Sequence, residues 1–196
     1  MVTRVNTYGE QLRQAAFEAV CRSWPVVPGR VRTDAEGGAE IRPLIENENA
    51  AVTDPDHAWA LWSPQPYGVL LVCGRGIDAL DVPFRVVELV PALADAGLAV
   101  PVATTLAPSR WVLFAATGSG TLRDELAAAS VRLRGKGDWV ALPPTAVLGY
   151  SPPRWRVPPG DGGGCAPPPT ADEVQRVLAE ALRSGRGSGP AGADPS

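Results

Sequence analysis

A chain of 196 residues, with 45% hydrophobic and 20% charged side chains, has the make-up of one globular domain with a sizeable core and little length for a second. Its net charge of −3 argues against indiscriminate electrostatic binding of nucleic acid, and no apolar stretch reaches the roughly 20 residues a membrane-spanning helix needs. Cys21, Cys73 and Cys165 stand far apart without paired spacing, which argues against a disulfide framework or a cysteine zinc site. No basic-plus-apolar leader opens the sequence, so the expected location is cytoplasmic and no membrane partner is expected.

In chain order, Thr7-Tyr8-Gly9-Glu10 is a capping-box pattern. Leu12, Ala15, Ala16, Ala19 and Val20 then recur at helical spacing up to Ser23, before Trp24-Pro25 forces extended backbone. Val26 and Val27 predict a short strand. From 29 to 51 no period is visible, and this acidic stretch is expected as a long surface loop, mobile or acting as a lid. Thr53 is expected to cap a helix that ends at Pro64, with His57 as a surface residue of it. Tyr67 to Cys73 has no polar alternation and predicts a central strand buried on both faces.

A helix broken or kinked at Pro91 and ending at Gly97 should follow. The runs Val100–Thr105 and Arg110–Ala116 suit an antiparallel hairpin, and a capped helix is expected over Thr121–Ala129. Two strand-like runs then flank the turn Arg134-Gly135-Lys136-Gly137, with a last strand near Arg154 to Val157. After residue 160 the composition turns to Gly and Pro, so 1–160 is expected as the domain and 161–196 as a tail. That tail carries one capped amphipathic helix, at about 171–183. Its face of Val174, Val177 and Leu178 would dock on the core or wait for a protein partner.

Charge is unevenly spread. From Asp34 to Asp56 seven acids face Arg42 alone, whereas from Leu106 to Gly160 the cations are Arg110, Arg123, Arg132, Arg134, Lys136, Arg154 and Arg156. Lys136 is the only lysine of the chain. A basic, glycine-rich turn presents backbone amides and fixed positive charge, which together cradle phosphate; a tight β connection with solvated charges fits the same residues.

The order of two segments carries a family resemblance. Val69 to Cys73 leads through Gly74-Arg75-Gly76 to Asp78-Ala79-Leu80-Asp81-Val82-Pro83, and residues 131–145 pair the basic turn with a Pro143-Pro144 corner. With Trp24-Pro25-Val26-Val27-Pro28 and Ala51-Val52-Thr53-Asp54-Pro55, this arrangement resembles the N-terminal domain of bifunctional DNA primase/polymerases, over roughly residues 8–160. The resemblance implies an α+β fold with a mixed, mainly antiparallel sheet flanked by helices. It also implies a site in which acids hold two divalent ions, Mg²⁺ or Mn²⁺.

The family pattern places two acids one residue apart after an apolar strand, a histidine on a later strand, and a third acid before the basic turn. Here Asp81 takes the first position and Pro83 the second. Asp78 is the substitute candidate for catalysis and metal, although Asp-x-x-Asp on extended chain faces opposite ways. Asp81 as a helix cap is the competing role. The stretch Ala107 to Phe114, where the histidine is expected, has none and offers Arg110 as a phosphate contact, and Arg132 lies where the third acid is expected.

Three functions follow. One is a catalytically degenerate member binding a nucleoside triphosphate or a DNA or RNA single strand through Arg110, Arg132, Arg134 and Lys136, with Trp139 or Trp155 stacking on bases or else buried. The second is an active primase/polymerase using Asp78 and Asp81. The third is a protein-interaction module on the same fold.

Overall fold

The computed structural model describes residues 7–33, 39–44, 47–107, 109–147, 150–160 and 167–187. Helix α1 (Tyr8–Cys21) begins where the sequence places it. Thr7 Oγ1 accepts the Glu10 N–H, and the Glu10 carboxylate accepts the Thr7 N–H at 2.7 Å, which satisfies two amide donors the helix leaves open. Leu12, Ala16, Ala19 and Val20 form its buried stripe. Helix α2 (Pro55–Trp62) is capped one residue later than expected. Asp54 Oδ1 accepts the His57 N–H at 2.7 Å, while the neighbouring Val52 is drawn into a β-bridge with Val26. His57 is exposed, as expected.

The strands form two sheets, and every pair within them is antiparallel. The first has the order β2 (Ala39–Pro43), β1 (Val26–Thr33), β3 (Gly68–Val72), β8 (Trp139–Ala141). The second runs β7 (Arg132–Arg134), β4 (Ile77–Pro83), β6 (Arg110–Ala116), β5 (Val102–Thr104), β9 (Trp155–Val157). The expected α+β, mainly antiparallel architecture is therefore what forms, divided between two sheets.

Several local expectations need correction. Much of 29–51 is not loop: β1 continues to Thr33 and pairs with β2, placing Val31 opposite Ile41, and a short 3₁₀ turn covers Glu48–Ala50. The helix expected before Gly97 takes the broken form of the two alternatives, as α3 (Phe84–Val87) and α4 (Pro91–Asp95), because Pro91 has no N–H to continue a helix and so starts one. Helix α5 (Asp124–Ala128) has no side-chain cap. The Arg123 N–H in front of it is bonded to Gln175 Oε1 at 2.9 Å.

The two runs around the basic turn do not form a hairpin. β7 pairs with β4 and β8 with β3, so the turn steps from one sheet to the other. The β3–β4 connection makes the same step beside it, and the Cys73 N–H bonds Asp138 C=O at 3.0 Å. The two crossings are so close that a Cβ on Gly74 would fall 2.4 Å from Lys136 Cα, and Gly74 also has a φ of 80°. Glycine is required there on both counts.

Two large apolar cores result, beside a small third cluster of Val27, Leu70 and Val72. One joins α1, α2 and the facing sides of both sheets, with Trp24 and Phe114 stacked at 5.3 Å between ring centres and Trp155 against them. The second lies between the far side of the β4–β6 sheet and helices α3 to α6. Helix α6 (Ala171–Gly187) starts on the predicted Thr170–Glu173 capping box and belongs to this second core. Val174 and Leu178 are fully buried and Val177 is 6% exposed, so of the two alternatives, docking on the core or waiting for a partner, the helix takes the first. Residues 161–166 and 188–196 of the expected tail lie outside the described residues. Among the described residues no helix is long and apolar enough to cross a membrane.

Candidate functional site

Strand register decides which candidate residues meet. Residues directly opposite one another on paired antiparallel strands share a face of the sheet. Asp81 is opposite Arg132 on β7 and Val112 on β6, and Pro83 is opposite Arg110. Asp81, Pro83, Arg110 and Arg132 therefore share one face. That face borders a cleft of about 330 Å³, lined by Asp81, Val112 and Arg134 from one sheet and by Leu70, Trp139 and Ala141 from the other.

Within it Asp81 is held by arginine. Arg110 Nε lies 2.5 Å from Asp81 Oδ1, and Arg134 Nη2 lies 3.4 Å from Oδ2. Arg110 Nη2 also donates to the Asp81 carbonyl at 2.9 Å and to the Ser130 carbonyl at 3.0 Å, so one guanidinium is fixed by three acceptors. Arg134 reaches Asp138 at 3.7 Å. Arg132 is exposed and makes no ion pair among the described residues. Asp81 is not a helix cap: it sits inside β4, and the residue before α3 is Pro83, which makes no side-chain cap bond.

Asp78, three residues earlier on β4, faces the other way, as alternation on a strand demands. Its carboxylate is 1% exposed as a residue and accepts from Gly74 N–H at 3.0 Å, Thr117 Oγ1 at 3.3 Å and Gly118 N–H at 3.4 Å. These bonds tie two turns to β4. Nearby, burial pushes the Cys73 thiol far above its ordinary pKa, and the Asp78 and Asp138 charges add to that. Lys136 lines a second cavity, about 550 Å³, with Asp78 and Gly118. Arg134 and Lys136, expected in one cradle, thus border different cavities.

The donor set does not fit a divalent metal pair. Asp78 and Asp81 face opposite sides of one sheet, Pro83 offers no ligand, Arg132 is a cation, and both oxygens of Asp81 already accept from guanidinium groups. Among the described residues no group of three or more His, Cys, Asp or Glu side chains is placed to hold an ion. Sequence reasoning missed the roles of Ser130 and of Arg85, whose Nη2 donates to Ser130 Oγ at 3.1 Å. Ser130 carries a φ of 61°, unusual for a residue with a side chain, and nothing local in the sequence signals it.

Two antiparallel sheets with helices packed on them make an α+β domain whose cleft is bordered by Asp81 and Arg134. Residues 16–174 match the family described as bifunctional DNA primase/polymerase, N-terminal, and the chain belongs to that family. No curated protein matches it. Among solved structures it is similar to the polymerase domain of Mycobacterium tuberculosis ligase D in complex with DNA. The two are 12% identical over 94% of this chain and 96% of that one, with a TM-score of 0.40.

Proposed function

We propose that this chain is a catalytically degenerate primase-polymerase domain that binds a nucleoside triphosphate or a single nucleic-acid strand in the inter-sheet cleft. Arg110, Arg132 and Arg134 take the phosphates. One observation carries the reading: Asp81, the one acid lining the cleft among the described residues, is bonded by Arg110 and Arg134, while Pro83 and Arg132 fill the neighbouring positions. A carboxylate bonded in this way is a poor ion ligand, because a metal would have to displace charge-assisted hydrogen bonds from two arginines.

The same cations suit phosphate. Guanidinium matches phosphate oxygens with two parallel donors and stays charged at every working pH. Arg132 is available for this without breaking any ion pair described above. Arg134 keeps donors beyond those it gives to Asp81. Lys136, on the opposite side of β4, is left out of the set.

The test is titration of labelled oligonucleotide and of nucleoside triphosphate at low salt, beside primer extension with Mg²⁺ or Mn²⁺. The expected result is salt-sensitive binding that weakens in Arg132→Ala and Arg134→Ala, with no extension in either metal. Metal-dependent product that disappears in Asp81→Ala would overturn the reading.

A further inference from the structure

We propose that the cavity bordered by Asp78 and Lys136 is a second ligand site, for a small hydroxyl-bearing monophosphate: a sugar phosphate or a nucleoside monophosphate. It lies on the opposite face of β4 from Asp81 and is independent of the phosphate-binding reading of the cleft. Its volume of about 550 Å³ is in the range of cavities that hold small molecules.

Glycine keeps this cavity open. Three turns supply Gly74, Gly118 with Gly120, and Gly135 to its lining, residues with no side chain to fill it. The walls are also tied in place. The Asp78 carboxylate accepts from the Gly74 and Gly118 N–H groups, and Asp172 of α6 accepts from the Ser119 N–H and hydroxyl, each at 2.8 Å. A Cβ on Gly118 would fall 2.9 Å from the Asp172 carboxylate, so a larger residue there would disturb that tie. Walls fixed in this way need little ordering when a ligand enters.

Two charged groups of the lining have capacity left. Lys136 is exposed, and its ammonium makes no ion pair among the described residues. The Asp138 side chain is 41% exposed. It accepts from the Gly135 N–H at 3.3 Å and faces Arg134 at 3.7 Å, which leaves lone pairs for further donors. Asp78 already accepts three hydrogen bonds and is buried, so it belongs to the wall. Leu122 and Leu133 give the lining an apolar part. One ammonium beside two carboxylates matches a single phosphate, whereas a triphosphate or a strand would bring more negative charge than Lys136 offsets. Sugar hydroxyls donate to a carboxylate such as Asp138, as ribose does to the acid of dinucleotide sites. Inorganic phosphate has no such hydroxyls and would meet Asp138 as a repelling charge.

The experiment follows backbone amide shifts of the full chain by NMR at low salt, with ribose monophosphate, adenosine monophosphate, ribose and inorganic phosphate added separately. The expected result is saturable binding of the esters, with shifts at Gly118, Gly120 and Leu122, none of which borders the cleft. Ribose and inorganic phosphate should each bind about tenfold more weakly or worse. Adenosine monophosphate binding the tighter of the two esters assigns the site to nucleotides; otherwise it takes sugar phosphates. Lys136→Gln should weaken both esters about tenfold, and Arg132→Ala should leave them unchanged. Asp138→Asn should narrow the preference for an ester over inorganic phosphate, because the charge that holds hydroxyls and repels a bare phosphate is gone. Inorganic phosphate binding as well as the esters overturns the proposal, as does the absence of saturable shifts at those three residues. Ester binding lost in Arg132→Ala but kept in Lys136→Gln puts the ligand in the cleft; the second site is then wrong and the cleft reading stands.

Discussion

Arg110 Nε and Asp81 Oδ1 are 2.5 Å apart across the β4–β6 pair, and the same guanidinium also bonds the Asp81 carbonyl. In a family whose site implies acids free for metal ions, this carboxylate instead serves as the counter-charge of an arginine. Its side chain is 11% exposed and that of Arg110 is 19%, so water screens the pair only weakly.

Asp81→Asn separates the two readings of that pair. Removing the charge weakens a partly buried ion pair and leaves Arg110 and Arg134 less compensated, which should lower stability by about 2–3 kcal/mol in urea denaturation. In the same variant, oligonucleotide or triphosphate affinity at low salt should rise several-fold, since a repelling charge leaves the cleft. That gain should fade as salt is added. A metal-dependent polymerase would lose activity and gain nothing. Unchanged affinity with intact folding would show that the ligand lies elsewhere.

What could be read from the sequence was local. Thr7–Glu10 and Thr170–Glu173 are spaced so that each pair closes on itself, and both capping boxes form as predicted. The uninterrupted Val69–Val72 run is buried because no polar residue would reward exposing either face. The β1–β2 hairpin escaped notice because its outer half sets Val31 and Ile41 among Arg30, Arg32, Glu40 and Arg42, the pattern of a solvated edge. The separation of Arg134 from Lys136 was equally hidden. Alternation would put residues two apart on one face, but β7 ends at Arg134 and Lys136 belongs to the turn between sheets. The Asp81–Arg110 pair spans 29 positions and exists only through register, which spacing along the chain does not encode.

Gln175 makes a second test, of how α6 is tied to the domain. It is 1% exposed, accepts from Arg123 N–H at 2.9 Å and donates to Thr121 C=O at 3.0 Å. Gln175→Leu keeps most of the volume and strands both backbone groups, each costing about 1–3 kcal/mol when left unpaired. The expected loss is about 2–4 kcal/mol in the denaturation midpoint analysis. A Leu variant as stable as wild type would mean the loop at 121–123 finds other partners and α6 does not depend on it.

Gly74 and Gly76 provide an internal comparison. Both have positive φ, 80° and 89°, but a Cβ at Gly74 meets Lys136 backbone at 2.4 Å, whereas at Gly76 nothing lies within 4 Å. Gly76→Ala should cost only conformational strain, about 1–2 kcal/mol. Gly74→Ala must also push the two sheet crossings apart, and should cost well above that or prevent folding. Equal melting temperatures for the two variants would show that the crossings are not in contact.

Cys73 links burial to pH. Its thiol is fully buried and its pKa is raised, first by loss of hydration and then by the Asp78 and Asp138 charges. In the unfolded chain the thiol ionises near its ordinary value of about 8.5, while in the folded chain it remains protonated well beyond that. Over this window the folded state binds one more proton, so stability falls as pH rises, with a slope approaching about 1.4 kcal/mol per pH unit. Below that window both states hold the proton and this term vanishes. Cys73→Ala should therefore flatten the alkaline limb of the stability profile above about pH 8.5, with lesser effect on its shape at neutral pH. Peptide mapping after iodoacetamide treatment at neutral pH supplies the companion measurement: Cys21, which is exposed, should be modified in the native protein, and Cys73 only after denaturant is added. Rapid native labelling of Cys73 would show that the turn between the sheets opens readily, and would remove the basis for the pH effect.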